Sequence, residues 1–208
     1  MKLCLGGAGH PVSDVLTLVL AGGQGERLRP LTERRAKPAV PFGGTYRIID
    51  FALSNAVNSG LRRICVLTQY ESLTLHRHIR SAWNILSPEL DEFIYIVPPE
   101  LRLPNRWYAG TADAVYQNIP LLQQEQPRWV LLLGGDHIYK MNYAPLIEYH
   151  LKCGAAATVV CVDVPITEAH RFGVVTTDAD GRIIGFEEKP AQPQPMPGTT
   201  DRVLASMG

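Results

Sequence analysis

Directly after an apolar run, residues 18–40 read LVLAGGQGERLRPLTERRAKPAV. Gly22, Gly23 and Gly25 are followed by Arg27, Arg29, Arg34, Arg35 and Lys37. Crowded cations repel unless an anion neutralises them, and glycines at a strand end let backbone amides approach a ligand closely. The chemistry indicated is the binding of a phosphate-bearing ligand. A second stretch, RWVLLLGGDHIYK, ends another apolar run in Gly134 and Gly135 and then offers Asp136. A carboxylate beside phosphates can hold a hard cation such as Mg²⁺. Read alone, an Asp after two glycines is equally a turn former.

The first stretch lacks the Gly-Lys-Ser/Thr ending of a P-loop. It also lacks the third glycine of a dinucleotide fingerprint, where this chain has Leu28. What remains is a glycine turn whose amides can hold phosphate oxygens, with Arg27 and Lys37 in reach of a polyphosphate. Pro30 and Pro38 stiffen the segment that carries them. By itself this could still be a solvated basic loop.

The elements that would position these residues alternate along the chain. VLTLVLA, RICVLTQ, FIYIVPP, RWVLLLGG and AAATVVCVDV read as strands, the first and fourth as buried ones. Helical spacing appears in IIDFALSNAVNSG with a stop at Gly60, in SLTLHRHIRSAWNIL, from about Ala112 to Gln124, and in NYAPLIEYHLKCG. GVVTTDADGRIIGFEEK reads as two strands around an Asp-Gly turn. This order predicts an α/β fold, a Rossmann-like, mostly parallel sheet with helices on both faces. In such sheets ligands bind beyond the carboxyl ends of the strands, and both glycine clusters sit at such ends. His76 and His78 are expected to be solvated helix residues, and His137 to support its loop.

Composition excludes several classes. The 208 residues carry 20 Lys plus Arg against 20 Asp plus Glu, so no overall basicity points to a nucleic acid. No apolar stretch reaches the length of a membrane span, and MKLCLGGAGHPVSDV, with one lysine and a short apolar run, is not expected to be a signal peptide. Cys4, Cys65, Cys153 and Cys161 show no CxxC spacing and read as reduced packing residues of a cytoplasmic protein.

GGQGERLRPLTERRAKP resembles the signature of sugar-nucleotide pyrophosphorylases. FGGTYRIIDFALSN, WYAGTADAV, LLGGDHIYKMNY, FGVV, FEEKP and LASMG narrow the likeness to the ADP-glucose pyrophosphorylase (glucose-1-phosphate adenylyltransferase) family. The resemblance runs from about Val15 to the last residue. It implies a nucleotide-diphospho-sugar transferase fold that makes ADP-glucose and pyrophosphate from ATP and glucose-1-phosphate, for glycogen or α-glucan synthesis, with Mg²⁺. Residues 1–14 would be an N-terminal extension and 15–208 the catalytic domain.

The resemblance also implies the roles. Gly22, Gly23 and Gly25 with Arg27 and Lys37 would bind the triphosphate, and Asp136 the metal. Gly110 and Thr111 of GTADA match the adenine-side loop. Tyr108, Gly173, Glu188, Lys189 and Ser206 match the glucose-1-phosphate pocket, with Lys189 on the phosphate and Glu188 on sugar hydroxyls. Arg34, Arg35 and Arg47 match positions that contact anionic metabolite effectors. Arg34 stands where some relatives have lysine, and Pro41 where one has histidine. Taken from composition alone, those arginines could be a solubilising cluster.

Two other readings are weighed against this one. A regulatory paralogue without catalysis would be expected to lose Arg27, Asp136 or Lys189, and all three are present. A sibling using UTP or dTTP would differ in GTADA and GDHIYK. AQPQPMPGTTD reads as a loop and RVLASMG as a further strand. Family members continue beyond that point with the rest of the sheet, a second acidic metal ligand and a left-handed β-helix domain, and assemble as homotetramers. The expectation is therefore an N-terminal catalytic portion with an incomplete sheet and poor turnover by itself.

Overall fold

The computed structural model describes residues 11–23, 25–99 and 108–207. Most of the expected N-terminal extension, and Cys4 with it, lies outside them. The chain divides into two compact units, Met1–Lys152 and Cys153–Gly208.

The first unit runs β1 (Val15–Ala21), β2 (Pro41–Phe42), β3 (Tyr46–Arg47), α1 (Ile49–Asn58), β4 (Arg63–Thr68) and α2 (Leu73–Ala82). It continues with β5 (Phe93–Val97), α3 (Thr111–Gln117), α4 (Ile119–Glu125), β6 (Trp129–Gly134) and α5 (Ala144–Cys153). Its main sheet has the order β5-β4-β1-β6, and every pairing is parallel. The chain steps from β1 outward through β4 to β5, then returns to place β6 on β1's other side. The strand order therefore reverses between β1 and β6.

β1 holds this sheet because both its faces are covered. Val15, Val19 and Ala21 pack with Ala52, Leu53 and Ala56 of α1 and with Tyr143 and Ile147. Leu16 and Leu18 face the opposite layer with Cys65, Leu67, Phe93 and Ala114. Each fully buried leucine contributes roughly 1.5–3 kcal/mol of transfer free energy. α1 turns Ile49, Ala52, Leu53 and Ala56 to one side, the spacing of a helical stripe, and stops just before Gly60 at φ 85°.

Three expectations are corrected in this unit. The helix expected over Ala112–Gln124 is two helices broken at Asn118, because Pro120 has no N–H to continue the ladder and opens α4 instead. β6 is an edge strand rather than a fully buried one. Leu131 and Leu133 face the core, whereas Val130 is 41% and Leu132 47% exposed. The two histidines of α2 are half-buried and paired rather than freely solvated. His78 Nε2 lies 2.7 Å from Asp50 Oδ1, and His76 Nε2 lies 3.1 Å from Thr68 Oγ1. Burial lowers the His76 pKa from its ordinary value.

The second unit is an antiparallel sheet of order β7-β10-β8-β9, from β7 (Cys161–Pro165), β8 (Gly173–Thr177), β9 (Ile183–Glu188) and β10 (Arg202–Ser206). The expected Asp-Gly hairpin is β8–β9, with Gly181 at φ 79° in the turn. β7 begins well inside the apolar run that suggested it. β10 lies between β7 and β8, so the parallel pattern expected for most of the chain stops at the first unit. Ala169, Val174 and Val203 form the small core here.

Candidate active site

The site of the first unit is built at the carboxyl ends of β1, β4 and β6. The register pairs Leu20 with Leu67 and with Gly134, so the segments that follow these strands start side by side. After β1 the chain turns through Gly25, which is left-handed at φ 66°, ψ 37°. A Cβ there would lie 2.7 Å from Lys37 Cβ and 3.0 Å from Thr32 Cγ2, so neither the dihedrals nor the space admits a side chain. Thr32 Oγ1 donates to the Gly25 carbonyl at 2.8 Å and Lys37 N to the Gly23 carbonyl at 3.4 Å. These bonds fold the basic stretch back onto the glycine turn. Among the described residues, the amides of Gly23 and Gly25 donate to no acceptor.

After β6, Gly135 N donates to the Leu20 carbonyl at 2.9 Å, which ties the second loop to β1. A Cβ on Gly135 would lie 3.0 Å from that same carbonyl. Close approach of two strand tips is thus what the second glycine pair permits. It brings Asp136 Oδ2 to 2.8 Å from Lys37 Nζ, across 99 residues of sequence. Both side chains stay about one-third exposed, at 28% and 32%. An ion pair this open to solvent contributes at most about 1 kcal/mol to stability. His137 Nε2 lies 3.5 Å from Asp136 Oδ1, and its ring packs on Gly134, as expected of a loop support.

Arg27 and Arg34 are exposed and Arg35 half-buried, and none pairs with a carboxylate among the described residues. Arg47 is tethered: its Nη1 donates to the Ala39 carbonyl, and its backbone N donates to Asp50 Oδ2 at 2.8 Å. Gly110 precedes the first turn of α3, which Thr111 opens, and both are exposed. Tyr108 packs into the core layer beneath α3, and its hydroxyl accepts from Asn118 Nδ2 at 3.0 Å.

Within the second unit, the remaining site residues gather at one end of its sheet. Gly173 pairs with Glu188 across β8–β9, and one step beyond the Ala205–Val174 pair brings Ser206 level with Gly173. A Cβ on Gly173 would lie 2.6 Å from the Phe186 ring and 3.1 Å from Glu188 Oε2. Lys189 Nζ pairs with Glu188 Oε1 at 2.8 Å, and both side chains are more than half exposed.

Gln69 was not foreseen. It follows β4 as Gly22 follows β1, and its Cβ would lie 3.1 Å from a Cβ placed on Gly22. Its Nε2 reaches the Tyr108 carbonyl at 3.5 Å. Its place as the last residue of the RICVLTQ run was the only signal in the sequence.

The described residues contain no group of three or more His, Cys, Asp or Glu able to cage a metal. A single part-exposed carboxylate nevertheless suits Mg²⁺, which keeps several waters and takes phosphate oxygens besides one or two carboxylates. Asp136 could hold such an ion.

A parallel sheet with a glycine turn and an acid–lysine pair where its strand order reverses is an α/β arrangement whose candidate site lies in the crevice beyond those strand ends. The chain belongs to the nucleotidyl transferase family, whose model matches residues 16–208. It is 54% identical over 197 residues to a glucose-1-phosphate adenylyltransferase 2 of Vibrio cholerae, covering 95% of this chain and 48% of that protein. A glucose-1-phosphate adenylyltransferase of Albidiferax ferrireducens is 56% identical over 204 residues, covering 97% and 48%. One from Nitrosococcus oceani is 54% identical over 195 residues, covering 94% and 46%. The chain spans about half the length of these curated relatives.

Proposed function

We propose that this chain carries the nucleotide-handling portion of a glucose-1-phosphate adenylyltransferase. In that reaction a phosphate oxygen of glucose-1-phosphate attacks the α-phosphorus of ATP, the α–β phosphoanhydride bond breaks, and ADP-glucose and pyrophosphate result. The observation that carries the reading is the contact of Lys37 with Asp136 beside the amides of Gly23 and Gly25. The names of the relatives, which cover nearly all of this chain, supply the substrates.

Both substrates are anions, so positioning and charge neutralisation do most of the work. The Gly22–Gly25 turn seats the triphosphate, and Arg27 and Lys37 balance the charge that grows on departing pyrophosphate. Asp136 would hold Mg²⁺, which supplies charge neutralisation on the phosphates when bound. Gly110 and Thr111 leave room for the adenine. Lys189 binds the phosphate of glucose-1-phosphate and Glu188 accepts from sugar hydroxyls, with Gly173 and Ser206 at the same end of that sheet. Arg34, Arg35 and Arg47 respond to anionic metabolites, and the whole protein is a cytoplasmic homotetramer. No helix among the described residues is long and apolar enough to cross a membrane.

The test is pyrophosphate release from ATP or UTP with glucose-1-phosphate and Mg²⁺, using the chain extended to the length of its relatives. Release with ATP, lost on Asp136→Asn while nucleotide still binds, is the expected result. Preference for UTP, or full activity in Asp136→Asn, would refute the assignment.

A further inference from the structure

We propose that Lys37 is the resting counter-ion of Asp136, so that the site rejects a free divalent cation and admits one only together with a triphosphate. The proposal rests on the nucleotidyltransferase reading above. Asp136 has nitrogen neighbours at both oxygens, Lys37 Nζ at 2.8 Å from Oδ2 and His137 Nε2 at 3.5 Å from Oδ1. The lysine is placed there by its backbone. Its N–H is bound to the Gly23 carbonyl, and its Cβ fills the space that a side chain on Gly25 would need.

One ammonium group therefore stands between two partners. On one side is the carboxylate it now neutralises. On the other is the glycine turn, against which the lysine's own backbone N–H and Cβ lie and whose Gly23 and Gly25 amides have no acceptor among the described residues. A bare divalent ion would have to displace the ammonium and leave it facing the metal with no counter-charge of its own. A metal–triphosphate complex brings negative charge that takes over Lys37 as the carboxylate is released. The same lysine thus excludes the free ion and serves the loaded one.

The readout is Mn²⁺ binding without nucleotide, followed by electron paramagnetic resonance of the free ion, on the whole chain and its variants. Wild type and Lys37→Arg should bind weakly. Lys37→Met should bind about five- to tenfold more tightly, the size expected when a partly exposed charge beside a divalent site is removed. That gain should disappear in Lys37→Met combined with Asp136→Asn. Equal Mn²⁺ affinity of wild type and a Lys37→Met protein with unchanged melting would overturn the proposal, as would a gain that survives loss of Asp136. Should Lys37→Met not fold, Lys37→Gln serves with the same expectation. A separate arm adds ATP to wild type. Failure of ATP to recruit Mn²⁺ there would count against the nucleotidyltransferase reading and the triphosphate half of this proposal, whatever the variants do without nucleotide.

Discussion

Gly25→Ala should be the most damaging small substitution in the glycine turn, for two separable reasons. Gly25 is left-handed, a conformation that costs a residue with a Cβ about 1 kcal/mol. The new methyl would also stand 2.7 Å from Lys37 Cβ, which the backbone fixes, and 3.0 Å from Thr32 Cγ2, whose rotamer is held by the Oγ1 bond to the Gly25 carbonyl. Forcing such an overlap typically costs about 1–3 kcal/mol. The total is about 2–4 kcal/mol. Gly43 supplies the control, because it is also left-handed at φ 57° but a Cβ there meets nothing within 4 Å. Gly43→Ala should cost about 1 kcal/mol, the backbone share alone. Urea unfolding of the two variants in parallel isolates the difference. With a slope near 2 kcal/mol per molar, Gly25→Ala should unfold at least about 0.5 M earlier than Gly43→Ala. Gly23→Ala has open space and no left-handed requirement, so it should unfold within about 0.5 kcal/mol of wild type yet weaken ATP binding. Identical midpoints for Gly25→Ala and Gly43→Ala would refute the argument that Lys37 is wedged against the turn.

Three further outcomes follow from particular side chains. Burial, with the Glu125 carboxylate adding to it, pushes the Cys65 thiol up to about 12. Pulse alkylation at pH 8 with mass-spectrometric mapping should therefore mark exposed Cys153 first and Cys65 only after denaturation, and early labelling of Cys65 would contradict its packing. His76 has a lowered pKa in the folded chain, so below the usual value near 6.5 the unfolded chain binds the proton more readily and stability falls with pH. The urea midpoint should drop between pH 7 and pH 5.5, less so in His76→Gln; equal slopes would sink this account. Lys189→Ala should raise KM for glucose-1-phosphate several-fold with little change in KM for ATP, measured on the relative-length chain, and an equal loss for both substrates would move Lys189 to the triphosphate.

The linear sequence determined the elements whose signal is local. VLTLVLA read as a buried strand from its apolar run and glycine stop, and the stop at Gly60 and the Asp-Gly hairpin needed no distant information. The glycine turn and Asp136 could be picked out as candidates because glycines after strands, clustered cations and a carboxylate are local features of the sequence. Tertiary structure decided the rest. Parallel pairing of β1 with β6 is what brings Lys37 and Asp136, 99 residues apart, to 2.8 Å, and no periodicity encodes which strands become neighbours. The same pairing made β6 an edge strand, although its apolar run read as fully buried. Asp50 drew His78 out of solvent, a contact between α1 and α2 that neither helix announces by itself. Local spacing fixes a residue's secondary structure and the direction of its side chain. What that side chain meets depends on which elements pack together, a choice made by the whole core at once.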